Sequence, residues 1–470
     1  MGRCGGRLGR WLRVGRLLLA GLSLALMGVL FSSVGDGLAL LAKGQFGPAL
    51  MAVGARFALS GLAVVGVTLL LTLFLGRFFC SVMCPLGILQ DVLGGLFFFR
   101  RNGVRARWVG LRKGLGVAVW AVALVGGWTL GLRFLEPFTL FGAICSGAWV
   151  PLLLLALATF WRRRVFCNSL CPVGALLACE SAMAPLGLRF TAHCVKCGKC
   201  VKVCPAGCLD PATGRVDNGR CVRCMACVDA CSLGGLAYGR NAGFGVPGRR
   251  AFLRAGAALA GGGALAVAAR QAAPHYADLS ASLGVTHIGI YPPGAGSRQR
   301  FLTKCTDCRL CVTHCTGQVL QPAGRFGAVH LTFDRGMCEY ECRKCVEVCP
   351  TGALMPMDLA TKKRTRLGLA RVDYTLCVAA CEGFACGACA EHCPTGALRM
   401  KENAAGVLTP ALDTRLCIGC GSCEHPCPVR PVKAIRVEPV DGVQVLAADP
   451  EEVFAVPAPE AIEDSDTWLI

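Results

Sequence analysis

Cys194-Val195-Lys196-Cys197-Gly198-Lys199-Cys200-Val201-Lys202-Val203-Cys204-Pro205 is followed by Cys221-Val222-Arg223-Cys224-Met225-Ala226-Cys227-Val228-Asp229-Ala230-Cys231. Three thiolates at two-residue gaps wrap one corner of a [4Fe–4S] cube, and a fourth, three residues on, reaches across to a second cube. The two runs therefore predict two cubes. Cys194, Cys197, Cys200 and Cys231 hold one; Cys221, Cys224, Cys227 and Cys204 hold the other. Structural zinc is the rival reading of CxxC pairs, and the doubled 2-2-3 spacing argues against it.

This is the spacing of two-cluster bacterial ferredoxins, and it recurs downstream. Four more sets follow: Cys305, Cys308, Cys311, Cys315; Cys338, Cys342, Cys345, Cys349; Cys377 or Cys381 with Cys386, Cys389, Cys393; and Cys417, Cys420, Cys423, Cys427. The second and third stretch the first gap. Thr351-Gly352-Ala353-Leu354 and Thr395-Gly396-Ala397-Leu398 repeat behind their motifs, as ferredoxin half-repeats do. About six cubes take four thiolates each, and the chain has 33 cysteines. Cys4, Cys145, Cys179 and Cys208 read as small apolar residues.

The rest of the chain is apolar. Charged residues make up 17% of its 470 residues, against about 25% in soluble proteins. Four apolar stretches, Leu17–Val34, Phe57–Leu75, Gly114–Leu132 and Ile144–Trp161, are long enough to span a bilayer, and Ala255–Ala269 is shorter and rich in Gly and Ala. The net charge of +20 is uneven: residues 1–250 hold 28 Lys and Arg against 7 Asp and Glu. These cations flank the apolar stretches alternately, the positive-inside pattern, so they imply a membrane and no nucleic acid. Arg3, Arg7, Arg10, Arg13 and Arg16 put the N-terminus in the cytoplasm. Gly248-Arg249-Arg250-Ala251-Phe252-Leu253-Arg254 before the fifth stretch reads as a twin-arginine leader inside the chain. Clusters are built in the cytoplasm, so a domain carrying them outward must cross folded, which that route allows.

The expected fold is a membrane α-helical bundle, four helices plus a fifth anchor or leader helix, carrying α+β ferredoxin-like domains. Its parts are residues 1–190 (bundle), 191–240 (cytoplasmic two-cluster domain), 245–270 (leader), 271–437 (periplasmic four-cluster domain) and 438–470, an acidic tail. The expected location is a bacterial inner membrane. All 7 histidines lie at or after His193, so the membrane part has no axial ligand for a haem b. CxxCH, P-loop, GxSxG and HExxH motifs are absent.

One internal repeat lies in the bundle. Arg77-Phe78-Phe79-Cys80-Ser81-Val82-Met83-Cys84-Pro85-Leu86-Gly87 matches Arg164-Val165-Phe166-Cys167-Asn168-Ser169-Leu170-Cys171-Pro172-Val173-Gly174. Two copies predict a pseudo-twofold unit in which Cys80, Cys84, Cys167 and Cys171 converge as ligands of a further metal centre. The rival reading is structural: both thiols share a helix face and the prolines turn the chain. Glu136, beside the third stretch, is a candidate acceptor for a quinol proton. His314, His392 and His425 sit inside cluster motifs and read as shielding groups.

On these motifs, residues 1–240 resemble the NapH/MauN family of ferredoxin-type membrane proteins. Residues 245–435 resemble the NapG/MauM family, with its twin-arginine leader and four cluster motifs. In periplasmic nitrate reductase systems such proteins are separate partners in a quinol dehydrogenase module; here they look fused. The resemblance implies electron transfer from the quinol pool, or a cytoplasmic donor, to a periplasmic reductase or cytochrome. It also implies that the exported motifs pair first with fourth and second with third: Cys427 would serve the first cluster and Cys315 the fourth, Cys393 the second and Cys349 the third. The family pattern favours Cys377 over Cys381. A second reading, from another class, is a maturation factor supplying electrons to a metal centre of a partner enzyme.

Overall fold

A computed structural model describes residues 4–32, 36–56, 59–96, 109–125, 130–240, 289–322, 328–403, 406–440 and 442–454. The twin-arginine sequence, the fifth apolar stretch and most of the acidic tail lie outside them. The chain divides into two compact units. The first comprises residues 1–315, 320–331 and 344–356; the second comprises 316–319, 332–343 and 357–470.

In the first unit the apolar sequence folds as helices. Cys4–Leu30 is the longest, at 27 residues, and its Arg10–Leu30 part is long and apolar enough to cross a membrane. Leu59–Leu75, Val109–Val125 and Trp149–Trp161 cover the other apolar stretches. The expectation of four simple helices needs correction. The stretch Ile144–Trp161 is broken: Ile144 and Cys145 end the helix Pro137–Cys145, and the next helix starts at Trp149. Gly147, at φ 86°, makes the break, a left-handed conformation that glycine alone adopts without a steric penalty. Hydropathy reads through such a turn because its residues are no more polar than the helices.

The repeat is correspondingly longer than its cysteine motif. Helices Phe46–Arg56 and Leu59–Leu75 precede Arg77, and Pro85–Leu96 follows. Helices Pro137–Cys145 and Trp149–Trp161 precede Arg164, and Pro172–Ala182 follows. Each half is thus a short helix, a longer one, the motif and a closing helix. Val109–Val125 packs along Pro172–Ala182. The shared core holds Leu30, Phe46, Leu86, Phe138 and Leu177, all at most 2% exposed.

Every sheet among the described residues is a two-stranded antiparallel ribbon. Leu186–Phe190 pairs with Leu236–Arg240, so the strands before and after the first two motifs close on each other. A short ribbon, Leu209–Asp210 with Arg215–Val216, lies between those motifs. The second unit repeats the arrangement: Gly368–Val372 pairs with Ile435–Pro439, and Leu398–Glu402 with Leu408–Leu412. The outer pair again brackets two cysteine motifs and the inner pair separates them.

Candidate functional sites: the cysteine sets

The backbone of the 2-2-3 motifs is built to wrap a cube. Lys196 and Gly198, Arg223 and Met225, Asp307 and Arg309, and Gly419 and Gly421 all have left-handed φ between 54° and 78°. They sit on either side of the second cysteine of their motif. Four of the eight, Lys196, Arg223, Met225 and Arg309, carry long side chains at a conformation such residues seldom adopt, the kind of strain that clusters at ligand clamps. The second and third downstream motifs, with their longer first gap, lack the pair at the matching positions, Glu341 with Arg343 and Ala385 with Gly387.

Cys194, Cys197, Cys200 and Cys231 line one cavity of about 120 Å³, and the Gly235 N–H donates to Cys231 Sγ at 3.2 Å. Burial raises the Cys227 thiol, and Cys221, Cys224 and Cys204 lie close enough to raise it further. The two sets of four read from the spacing are therefore both assembled. Cys208 is a residue that spacing missed. It is buried, with its Sγ 3.6 Å from that of Cys204, and Cys204 is lowered to about 6, chiefly by that hydrogen bond.

The downstream motifs take ligands from their neighbours in sequence, and this corrects the pairing implied by resemblance. Burial raises Cys308 and Cys311, and Cys349 lies beside both. Cys305, Cys308 and Cys311 thus meet the last cysteine of the second motif, where Cys427 was expected. In the second unit Cys393 lies beside Cys417, Cys420 and Cys423. Cys427 lines a cavity with Cys377, Cys386 and Cys389. For the third and fourth motifs the closed ribbon is the physical reason: Gly368–Val372 paired with Ile435–Pro439 ties them together. Burial pushes Cys389 to about 11, with Cys377 and Cys386 as its near neighbours, whereas Cys381 is exposed.

In the bundle the four repeated thiols lie together. Cys80, Cys84, Cys167 and Cys171 are each at most 5% exposed, and Cys84 and Cys171 are both within electrostatic reach of Cys80 and Cys167. Each part of the motif has a mechanical task. Cys171 is the N-cap of its helix, with its Sγ accepting from Gly174 N at 3.2 Å, and Pro172 fills the first helical position, where a missing N–H costs nothing. A Cβ at Gly174 would sit 2.4 Å from the Cys167 carbonyl oxygen, and one at Gly87 would sit 2.4 Å from that of Cys80. Only glycine lets the closing helix start against the first cysteine. Among the described residues no three His, Cys, Asp or Glu side chains close around a single ion. The thiol sets are wider cradles, suited to a cluster.

The sets of the first unit share one frame. The ferredoxin of residues 191–240 grips the start of the Cys4–Leu30 helix, with Arg13 donating to Asp229 at 2.6 Å, and Tyr238 Oη donates to the Phe74 carbonyl at 3.2 Å. At the far end of the same helix, His314 Nε2 lies 2.8 Å from the Leu30 carbonyl oxygen. Seventeen residues at 1.5 Å each separate Arg13 from Leu30, roughly 26 Å. One continuous core contains the four bundle thiols and Cys224, with Cys308 and Cys311 packed against it. His314 is thus a buried anchor, while His392 and His425 are exposed. Glu136 is buried, 2% exposed, and caps the Pro137–Cys145 helix, its Oε2 accepting from Thr139 N at 2.5 Å.

Repeated four-thiol cradles on short ferredoxin ribbons define an iron–sulfur electron carrier. A family described as a 4Fe-4S binding domain matches residues 57–104 and 146–180, the bundle repeat itself. A 4Fe-4S dicluster domain matches 304–353 and 380–430, and another 4Fe-4S binding domain matches 191–207 and 218–239. The chain belongs to the ferredoxin-type iron–sulfur electron-transfer proteins that include NapF and MauM. It is 30% identical over 152 residues to the ferredoxin-type protein NapF of Escherichia coli (strain K12), 31% of this chain and 84% of NapF. It is 33% identical over 204 residues to the methylamine utilization ferredoxin-type protein MauM of Paracoccus denitrificans, 40% of this chain and 83% of MauM. With the MauN protein of Methylobacillus flagellatus it shares 32% identity over 145 residues, 28% of this chain and 50% of MauN. No solved structure matches it.

Proposed function

We propose that the protein is a membrane electron conduit that carries electrons from the quinol pool through [4Fe–4S] centres to a periplasmic reductase of the nitrate-reductase or methylamine-utilization type. The observation that carries this reading is the Cys4–Leu30 helix, which has a ferredoxin at one end and an exported motif at the other. Their separation of roughly 26 Å is close to the ~30 Å hydrocarbon thickness of a bilayer. The outward faces between them suit lipid: Leu59, Leu62, Leu70, Leu154 and Trp161 are more than half exposed. A soluble protein rarely leaves so contiguous an apolar surface uncovered.

In this reading five of the six ligand sets read from the spacing are Cys194, Cys197, Cys200, Cys231; Cys221, Cys224, Cys227, Cys204; Cys305, Cys308, Cys311, Cys349; Cys377, Cys386, Cys389, Cys427; and Cys417, Cys420, Cys423, Cys393, with Cys338, Cys342 and Cys345 belonging to the sixth. Cys80, Cys84, Cys167 and Cys171 hold one more cluster in the bundle, supported by the match of a 4Fe-4S family to that repeat. The clusters supply one-electron transfer; the thiolates hold them, and burial and N–H donors such as Gly174 and Gly235 tune them. The centre in the bundle bridges the two sides where no histidine offers a haem ligand.

The test is a redox titration of the anaerobically purified full chain with a reduced quinol analogue. Reduction of clusters on both sides of the Cys4–Leu30 helix supports the conduit. Reduction by dithionite but never by quinol would remove the quinol from the reading.

A further inference from the structure

Among the described residues two arginines are the largest fully buried side chains, Arg77 at 1% and Arg164 at 0% exposure. They are equivalent positions of the repeat, and each crosses to the opposite half. Arg77 donates to the Cys167 carbonyl at 3.1 Å and to Asn168 Oδ1 at 2.9 Å, with its Nη2 3.9 Å from Cys80 Sγ. Arg164 donates to the Cys80 carbonyl at 3.1 Å and forms a two-pronged ion pair with Asp91, at 2.6 Å on each arm. Arg16 holds the same carboxylate. Gln90 Nε2 donates to Cys167 Sγ at 3.2 Å.

The charges do not cancel among the side chains. Arg16, Arg77 and Arg164 are three cations, and Asp91 is the one carboxylate paired with them. Arg77 Nε has no hydrogen-bond partner, although it is buried. An uncompensated buried cation costs several kcal/mol, and this cluster holds two in excess. Four thiolates around an oxidised cube are doubly negative, which is the missing charge.

Resting on the reading that the four bundle thiols hold a cluster, we propose that Arg77 and Arg164 are its crossed counter-cations: positioning residues that lock the two halves of the repeat together and set the centre's reduction potential, with Asp91 as an opposing trim. Reduction adds one negative charge beside these groups, so a cation favours the reduced state and a carboxylate disfavours it. Potentials of such clusters follow net charge and hydrogen bonds at the sulfurs.

The experiment is an EPR-monitored redox titration of the full chain, with the bundle signal identified as the one lost in Cys84→Ser. Arg77→Gln should lower that midpoint, shifting the reduction equilibrium at least tenfold, about 59 mV for one electron. Arg77→Lys, which keeps the charge, should recover most of the shift. Asp91→Asn should move it the other way and raise the midpoint. Equal midpoints in wild type, Arg77→Gln and Asp91→Asn would overturn the proposal. If Arg77→Gln fails to assemble, Asp91→Asn decides alone, because its predicted sign is opposite to that of general damage. Absence of any signal lost in Cys84→Ser, with iron content unchanged, would overturn the underlying reading instead.

Discussion

Gly87 and Gly174 are as necessary to the bundle as the cysteines beside them. Their missing side chains admit the carbonyls of Cys80 and Cys167, and backbone on both sides leaves nothing free to shift. Gly174→Ala should therefore destabilise the bundle by more than the ~1–3 kcal/mol typical of overpacking. Thermal unfolding in detergent measures it, with Gly95→Ala as control, since a Cβ there meets nothing within 4 Å. A second pair of residues tests the exported half. Cys377 lines a cavity with three other thiols, and Cys381 is exposed. Cys377→Ser should remove about four iron per chain and Cys381→Ser none, read by iron analysis after anaerobic purification. The reverse result would reassign the ligand.

At the scale of elements, the ribbons decide which cysteines meet. Gly368–Val372 and Ile435–Pro439 pair in antiparallel register from Gly368 opposite Pro439 to Val372 opposite Ile435. That closure draws the third and fourth downstream motifs into one core, where Cys417, Cys423 and Cys427 are buried with Ala370 and Ile435. Cys393→Ser should accordingly perturb the cluster of Cys417, Cys420 and Cys423. A second-with-third exchange predicts damage to the second motif's cluster instead, and Mössbauer spectra of the two variants Cys393→Ser and Cys427→Ser separate these outcomes. The left-handed pairs flanking the second cysteine act at the same scale. They appear where the spacing is 2-2-3 and disappear where the first gap is longer, so a changed gap changes the loop that wraps the cluster.

For the whole molecule, the conduit reading fixes a composition and a topology. Seven cubes at four iron each give about 28 iron per chain, against about 24 if the bundle thiols are structural. Inductively coupled plasma analysis of reconstituted protein distinguishes the two. A phosphatase reporter fused after Val440 should be active and one fused after Tyr238 inactive. Replacing Arg249 and Arg250 with lysine should abolish the first activity if the chain uses the twin-arginine route. Activity at Tyr238 would instead place the ferredoxin of residues 191–240 outside and undo the alternation.

Cysteine spacing alone determined that this chain builds cubes and which thiols of residues 194–231 share one, because a 2-2-3 run leaves the backbone a single way to wrap a cluster corner. Repetition alone pointed to Cys80, Cys84, Cys167 and Cys171 as one group. The partners of the four downstream motifs were different: runs of similar spacing permit several exchanges, and only the tertiary structure, through the strand pair that closes around the third and fourth, chooses among them. Hydropathy ran through the turn at Gly147, since a break made by φ carries no polar residue to mark it. It also gave no hint that Arg77 and Arg164, which look like loop cations beside apolar stretches, turn inward and cross the pseudo-twofold axis. Tertiary structure decided that, because a buried guanidinium is stable only where the fold brings carbonyls, a carboxylate and the thiols to meet it.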